Sequence, residues 1–322
     1  MTQPRFQTLL TPDMAAVDGV IRARLHSEVA LVRQVSEYII HSGGKRLRPA
    51  LVVLAAKALG FNGQTHHEMA AVVEFIHTAT LLHDDVVDAS DKRRGRDTAN
   101  ALFGNAASVL VGDFLYSRAF QMMVATQNMR VMEVLSDATN IIAEGEVLQL
   151  MNCNDPDIDE SAYLQVIRYK TAKLFEAAGR LGAIVNHADA TVEDALGRYG
   201  MHLGTAFQII DDVLDYSGSS EVIGKNVGDD LAEGKPTLPL LFAMKHGTAE
   251  ESAIIRNAIL QGDESNFAQI LSIVQRTGAL EHAHKQAQAE ANLACNAIAQ
   301  LPDSQYKAAL LELPAFAVSR NF

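Results

Sequence analysis

Apolar residues recur at helical spacing along most of the chain. Between Met14 and Ile40 they follow one another three or four residues apart, which predicts one long amphipathic helix. The same spacing predicts a helix from about Leu47 to Gly60 and another from about His66 to Asp88. The remaining predicted helices are about Ala106–Thr126, Met129–Met151, Glu160–Asn186, Val192–Tyr216, short helices after Pro236, Thr248 and Glu264, then Ala279–Gln300 and Asp303–Val318. This pattern predicts an all-α fold.

Turn-forming residues punctuate the predicted helices. The chain has only 8 Pro and 21 Gly, and they collect at the predicted helix boundaries. Strand-like alternation is nearly absent, and no internal repeat or low-complexity linker divides the sequence. We therefore predict one helical domain over residues 1–322, with residues 1–12 as the most disordered part.

Composition narrows the class of protein. With 48% hydrophobic and 20% charged residues, the chain can bury a large core. The net charge of −12 disfavours general nucleic-acid binding. Cys153 and Cys295 are too far apart for a disulfide framework or a Cys-rich zinc site. No long apolar segment or secretory signal layout is present, so we expect a cytoplasmic protein without a transmembrane segment.

Two acidic motifs carry the candidate chemistry. Each places carboxylates at i, i+1 and i+4 at the end of an apolar helical run: Asp84, Asp85 and Asp88, then Asp211, Asp212 and Asp215. At about 100° per residue, the three carboxylates of a motif fall within one arc of the helix surface. The negative end of the helix dipole already lies there, so the crowded carboxylates need cations. Oxygen ligands beside a substrate phosphate favour Mg²⁺.

One such motif could equally be a solvated helix end. Two copies favour a pair of metal sites instead, which on facing helices would hold several Mg²⁺ ions against a diphosphate.

Two basic segments complement the acidic motifs. Lys45, Arg46 and Arg48 stand in GGKRLRP, where a helix begins, and free backbone N–H groups with Arg side chains form an anion site. The run from Lys92 to Arg96 follows the first acidic motif closely and can fold back over the same metals. A solvated basic loop is the alternative, and it fits the second segment better than the first.

Taken together, these motifs resemble those of the trans-polyprenyl diphosphate synthases. The resemblance covers essentially the whole chain and rests on the segments GGKRLRP, IHTATLLHDDVVD, RRG, GTAFQIIDDVLDY and GKNVGDDLAEGKPTLPLL. It implies a single-domain helical bundle of the isoprenoid synthase type with a central apolar tunnel. It also implies an enzyme, expected as a homodimer, that adds isopentenyl diphosphate units to an allylic diphosphate such as farnesyl diphosphate.

The expected product is an all-trans long-chain polyprenyl diphosphate that supplies the side chain of a quinone such as ubiquinone. Octaprenyl diphosphate is the expected chain length. Heptaprenyl and nonaprenyl products are the alternatives. In the implied mechanism, Mg²⁺ and cationic side chains neutralise the leaving diphosphate, the allylic C–O bond ionises, and the isopentenyl double bond attacks the resulting carbocation. The released diphosphate is the expected base.

The resemblance assigns roles to individual residues. The six motif aspartates would coordinate up to three Mg²⁺ ions that bind the allylic diphosphate. The isopentenyl diphosphate site falls on Lys45, Arg48, His77 and Arg94, with Arg46 nearby. Cations for the allylic diphosphate fall on Arg93, Lys170, Lys225 and Lys235, with Thr171 and Gln208 beside the reacting centre. Asp229 and Asp230 match an acidic pair that orders the metal waters. From sequence alone, Lys170 could also be an ordinary solvated residue and His77 a buried, hydrogen-bonded histidine.

Product length would be set by the tunnel. Ala79 and Thr80 lie about one turn before Asp84, where short-chain relatives carry bulky aromatic residues. Small residues leave the tunnel open, so its floor would lie deeper. Met122, Met123 and Met132 are the candidates for that floor, although methionine is more often ordinary core filler.

Three other hypotheses stay open on the sequence. A class I terpene cyclase would share the fold but normally lacks a second DDxxD motif. A non-catalytic subunit of a heteromeric prenyl synthase would have lost catalytic aspartates. A plain helical scaffold leaves both acidic motifs unexplained.

Overall fold

The computed structural model describes residues 5–41, 43–93, 95–217 and 228–319. Within these ranges nearly all regular structure is helical, which confirms the predicted all-α class. Two short strands of the described part, Lys92–Arg93 (β1) and Arg96–Asp97 (β2), pair antiparallel. Among the described helices, none is long and apolar enough to span a membrane.

The first half of the chain holds helices whose bounds mostly follow the sequence pattern. They are α1 Arg5–Arg24, α2 Ala30–His41, α3 Leu47–Ala58, α4 Thr65–Val87, α5 Ala99–Phe103, α6 Asn105–Ala125 and α7 Met129–Asn152. The ends of α3, α4, α6 and α7 fall within two residues of the predicted ends. The short helix α5 was not predicted.

The N-terminal prediction is wrong in two respects. The chain leaves the helix after Arg24, because the Ser27 hydroxyl accepts the Val29 N–H at 3.2 Å and so competes with the helical ladder. Val29, expected in the apolar stripe, is 58% exposed. Residues 5–12, expected to be disordered, form the first turns of α1, since Phe6 and Leu10 are buried.

In the second half of the chain, a π-helical segment interrupts one of the predicted helices. The elements of this half are α8 Glu160–Ile167, a π-helical segment Arg168–Ala172, α9 Lys173–Val185, α10 Ala190–Leu214, α11 Asp229–Ala232, α12 Leu238–His246, α13 Ala249–Gln261, α14 Phe267–Arg276, α15 Ala279–Ala297 and α16 Gln305–Val318. The predicted helix Glu160–Asn186 is therefore interrupted by the π-helical segment, called the π-turn below. Such single turns are rare and occur often at functional sites.

The chain forms two compact units, and the prediction of one domain over residues 1–322 stays a prediction. The first unit comprises the described residues within 1–139, 174–200 and 297–312. In it α4 packs against α1, α3 and α6, with Val72, Phe75 and Ile76 fully buried. This packing fixes the end of α4, which carries the first acidic motif.

The second unit comprises the described residues within 140–173, 201–296 and 313–319. Its core joins Ile209, Ile210 and Val213 of α10 to Ala283 and Ala287 of α15. Residues of α8 enter the same cluster. The core therefore fixes α8, α10 and α15, the elements around the second acidic motif.

Candidate active site

The first acidic motif lies at the C-terminal end of α4. Asp84 and Asp88 are one turn apart and half-buried, whereas Asp85 is fully buried. The Asp88 N–H donates to the Asp84 carbonyl at 2.8 Å, so the two residues are held in the last helical turn. Asp84 and Asp88 are thus the more solvent-accessible members of this motif.

The hairpin of β1 and β2 brings a cation back to this motif. Gly95 occupies its turn with a φ of 73°, a left-handed conformation that favours glycine. Arg93 Nε donates to Asp85 Oδ1 at 2.7 Å, and Asn100 Nδ2 donates to the Asp85 carbonyl at 3.1 Å. The guanidinium offsets the burial of the Asp85 charge. Arg94 lies outside the described residues.

The basic segment before α3 contains two different kinds of cation. Arg46 has a left-handed backbone, and its guanidinium pairs with Glu74 at 3.1 Å and lies 3.8 Å from Asp18. The neighbouring Lys45 is exposed. The structure therefore gives Arg46 acidic partners within the protein.

Arg48 is positioned more tightly than its neighbours. Its guanidinium lies 4.4 Å from the centre of the Phe175 ring, and its Nη1 is 3.1 Å from His77 Nε2. Because arginine only donates, His77 Nε2 accepts and its proton is on Nδ1. The Thr80 hydroxyl donates to the His77 carbonyl at 2.8 Å. The half-buried pair of Arg48 and His77 is therefore a preorganised group for an anion.

The predicted chain-length residues are mostly interior. Ala79 is fully buried and Thr80 is half-buried on α4. Met122 and Met123 of α6 are buried, and Met132 of α7 is half-buried. This burial suits ordinary core packing as well as a tunnel floor, so the chain-length role stays a prediction.

The second acidic motif ends α10 and centres on Asp212, which is buried. The Tyr163 hydroxyl donates to Asp212 Oδ2 at 2.6 Å, and Gln208 Nε2 donates to Oδ1 at 2.8 Å. Burial first, then the charge of Asp230, raises the pKa of Asp212 to about 8. The charges of Asp230 and Asp211 contribute to this shift, and a divalent cation would offset them. The carboxylates therefore fit a metal site.

Asp215 has a different environment from Asp212. Its two carboxylate oxygens accept the backbone N–H groups of Gly228 at 3.2 Å and Asp230 at 3.3 Å. It thereby holds the start of α11, the short helix that carries Asp229 and Asp230. The assignment of Asp215 as a direct metal ligand stays a prediction beside this backbone role.

Two further cations were assigned to the region of α11. Lys235 follows this helix and pairs with Glu233, and its backbone N–H donates to the Asp230 carbonyl at 2.8 Å. Lys225 lies outside the described residues.

The π-turn presents Lys170 and Thr171. Thr171 Oγ1 donates to Gln208 Oε1 at 3.0 Å, so a hydrogen-bonded chain runs from Thr171 through Gln208 to Asp212. Lys170 Nζ lies 2.6 Å from Glu146 Oε2 of α7, and its side chain is only 18% exposed. Lys170 is therefore not the ordinary solvated lysine that the sequence left open.

Several supporting residues were not predicted. Tyr163 carried no local signal, because its partner Asp212 is distant in sequence. Gly145 did carry one, since a glycine inside a helical pattern indicates close packing. A Cβ at Gly145 would lie 2.7 Å from the backbone nitrogen of Lys170, so α7 packs directly against the π-turn.

Comparison with known proteins gives consistent matches over most or all of the chain. The polyprenyl synthetase family model matches residues 29–275. The octaprenyl diphosphate synthase of Haemophilus influenzae is 54% identical, over 100% of this chain and 98% of that protein. The all-trans-nonaprenyl-diphosphate synthase (geranyl-diphosphate specific) of Rhodobacter capsulatus is 47% identical, over 98% of each chain.

A crystal structure shows a similar fold. The polyprenyl synthase from Caulobacter crescentus CB15, complexed with calcium and isoprenyl diphosphate, has a TM-score of 0.95 and 45% identity. The match covers 99% of this chain and 98% of that one.

Proposed function

This chain belongs to the polyprenyl synthetase family, and from that premise we propose that it elongates an allylic diphosphate with isopentenyl diphosphate. The observation that carries the proposal is the buried Asp212. Tyr163 and Gln208 donate to its two oxygens, and the negative charge of Asp230 nearby would be offset by a bound cation. The chain is a prenyltransferase of the trans-polyprenyl type.

An octaprenyl product is proposed, because the 54% identical relative is an octaprenyl diphosphate synthase. The 47% identical relative is a nonaprenyl synthase, so the number of added units needs direct measurement. The full set of six motif aspartates disfavours a non-catalytic subunit, and the family match disfavours a terpene cyclase.

Mg²⁺ is the proposed metal, with up to three ions per active site. Asp84 and Asp88 of the first motif and Asp211 and Asp212 of the second would hold it, with Asp85 and Asp215 proposed alongside them. When bound, Mg²⁺ supplies the positive charge that stabilises a leaving diphosphate. The calcium in the Caulobacter crescentus structure supports a divalent ion.

The isopentenyl diphosphate site is proposed at Arg48, His77 and Lys45, with Arg94 and Arg46 near it. Arg48 is held between the Phe175 ring and His77, so little side-chain freedom is lost when it binds a phosphate. The neutral His77 donates from Nδ1, whereas Arg48 supplies the charge.

The reaction breaks the allylic C–O bond, and the diphosphate leaves with the electron pair. Lys170, Arg93, Lys225 and Lys235 are proposed to neutralise it. The double bond of isopentenyl diphosphate then attacks C1, and the released diphosphate takes the proton lost from the adduct. Thr171 and Gln208 are proposed beside this centre, and their mutual hydrogen bond fixes the two side chains relative to each other.

A homodimer is proposed from an exposed apolar surface. On α6, Leu110 is 66% and Val124 is 61% exposed, and Met129 at the start of α7 is 70% exposed. Exposed apolar side chains of this size are typical of protein–protein contact surfaces, and a second copy of this chain is the proposed partner. Sedimentation velocity of the purified chain tests this proposal.

Removal of one motif aspartate tests the function. The purified chain is incubated with farnesyl diphosphate, labelled isopentenyl diphosphate and Mg²⁺. We expect Asp84→Ala and Asp211→Ala each to lower turnover at least about 100-fold, the scale for losing one electrostatic stabiliser. Asp137→Ala, which removes an exposed acid of α7, is the matched control and should retain full activity. Near-wild-type rates in either motif variant would contradict the metal proposal.

A further inference from the structure

A buried charge interrupts the alanine seam of α15. The buried face of this helix consists of alanines, among them Ala283 and Ala287, except for Glu290, which is only 8% exposed. A carboxylate in such a position is unfavourable unless charged or hydrogen-bonding partners meet it. The partners of Glu290 therefore indicate why the charge is there.

Glu290 contacts a guanidinium and an imidazole from two other elements. Its Oε1 accepts from Arg168 Nη2 at 3.1 Å, and its Oε2 lies 2.5 Å from His202 Nδ1. Burial opposes ionisation of Glu290, but the hydrogen bonds and charges of His202 and Arg168 outweigh it and lower the pKa. Glu290 is thus a carboxylate held at both oxygens.

Arg168 is the first residue of the π-turn, so the contact between Glu290 and Arg168 joins α15 to the π-turn itself. A π-turn contains one residue more than an α-helical turn and is intrinsically less favourable, so surrounding contacts must hold its register. Helix α7 contributes the pair of Glu146 and Lys170, and α10 contributes the hydrogen bond from Thr171 to Gln208. Glu290 supplies a third contact, from α15.

We propose that Glu290 is a positioning residue for the reaction. By fixing Arg168, it fixes the register of the π-turn and so places Lys170 and Thr171 at the allylic diphosphate. This proposal rests on the proposed function, because Lys170 and Thr171 matter only if that substrate binds there. A merely structural role, in which Glu290 pins α15 to α10, predicts lost stability and equal effects on both substrates.

Kinetics and hydrogen–deuterium exchange separate the two roles. For Glu290→Gln we expect kcat/KM for farnesyl diphosphate to fall about tenfold, since small misplacements of reacting groups are costly. The KM for isopentenyl diphosphate should stay within about twofold, because Arg48 and His77 have their own supports. Exchange in the peptide that spans the π-turn should rise.

A matched control lies on the same helix. Glu281 forms an exposed ion pair with Lys285, four residues on, and reaches no part of the π-turn. Glu281→Gln should change neither the kinetics nor the exchange. Arg168→Gln breaks the same contact from the other side, at a side chain that is 42% exposed. It should give the same kinetic and exchange changes as Glu290→Gln, and it replaces Glu290→Gln in the test if Glu290→Gln folds poorly.

Equal losses for both substrates, together with a lower Tm, would overturn the positioning role, as would unchanged kinetics and exchange. If the wild-type chain adds no isopentenyl units, the proposed function fails. The exchange comparison needs no turnover, so it still reports whether Glu290 holds the π-turn.

Discussion

Three side-chain nitrogen atoms lie near a single carboxylate oxygen of Asp13. Its Oδ1 lies 2.9 Å from His67 Nε2, 3.1 Å from Lys57 Nζ and 3.5 Å from His66 Nε2. Within the described part of the chain, Asp13, His66 and His67 have possible metal-ligand atoms within 4.8 Å of one another. The Lys57 ammonium already supplies the positive charge there, so these residues dock α1 onto α3 and α4.

This cluster predicts a pH dependence of stability. Burial first, then the neighbouring His67, lowers the pKa of His66 from 6.5 to about 4. In the unfolded chain His66 takes up a proton near its ordinary pKa, whereas the folded chain resists protonation down to about pH 4. The free energy of unfolding therefore decreases as pH falls through this window.

Replacing His66 should remove that dependence. As pH falls from about 7 to about 4.5, the wild type should lose about 2.5 kcal/mol more of its free energy of unfolding than His66→Phe loses. Urea unfolding at several pH values measures the difference. His26→Ala, at a histidine with a 73% exposed side chain, is the control and should keep the wild-type slope. Equal slopes for wild type and His66→Phe would contradict the assignment.

At the scale of elements, the approach of α7 to the π-turn gives a second prediction. A Cβ at Gly145 would meet the Lys170 nitrogen at 2.7 Å and the Tyr169 Cβ at 2.8 Å, so Gly145→Ala must displace the π-turn backbone. We expect it to destabilise the protein by about 1–3 kcal/mol, as overpacking does, and to lower turnover about tenfold. Denaturant unfolding and the elongation assay measure both effects.

Gly19 provides the matched control. It is exposed on α1, and an added Cβ would have nothing within 4 Å, so Gly19→Ala should stabilise the protein by about 0.5–1 kcal/mol. If Gly145→Ala proved as stable and active as the wild type, neither stability nor turnover would depend on the close packing of α7 against the π-turn.

The sequence predicts elements best where local chemistry and packing agree. The bounds of α4 follow from its apolar spacing, and α3 begins just after the glycines at residues 43 and 44. The break after Arg24 was missed because a serine hydroxyl decides it while the apolar spacing continues. The π-turn was missed because one additional residue in a turn barely changes the spacing of apolar side chains.

The same limit applies to the candidate site. The acidic motifs and the basic segment before α3 are local patterns, so the sequence alone reveals them. The contacts of Glu290 with Arg168 and of Tyr163 with Asp212 join distant parts of the chain. No spacing rule reports such pairs, although they decide how the motif residues are held.

At the scale of the whole molecule, the net charge of −12 is compatible with anionic substrates. A net-acidic surface repels extended polyanions at long range. A small diphosphate is recognised over a few ångströms instead, where local cations dominate. Arg48 and Lys170 are the cations proposed for that role in this protein, and the motif carboxylates are proposed to bind phosphate indirectly through Mg²⁺.

Product length is also a property of the whole molecule, because it depends on the room left for the growing chain. Ala79 is fully buried one turn before Asp84, so a bulky ring there should block growth early. We expect Ala79→Tyr to shorten the product to about the farnesyl or geranylgeranyl range, as bulky residues do at this position in the short-chain enzymes that the chain resembles. Reversed-phase chromatography and mass spectrometry of the labelled product measure its length. Ala79→Ser, which barely changes the volume, should keep the wild-type product. An unchanged product from a stably folded Ala79→Tyr would place the tunnel elsewhere.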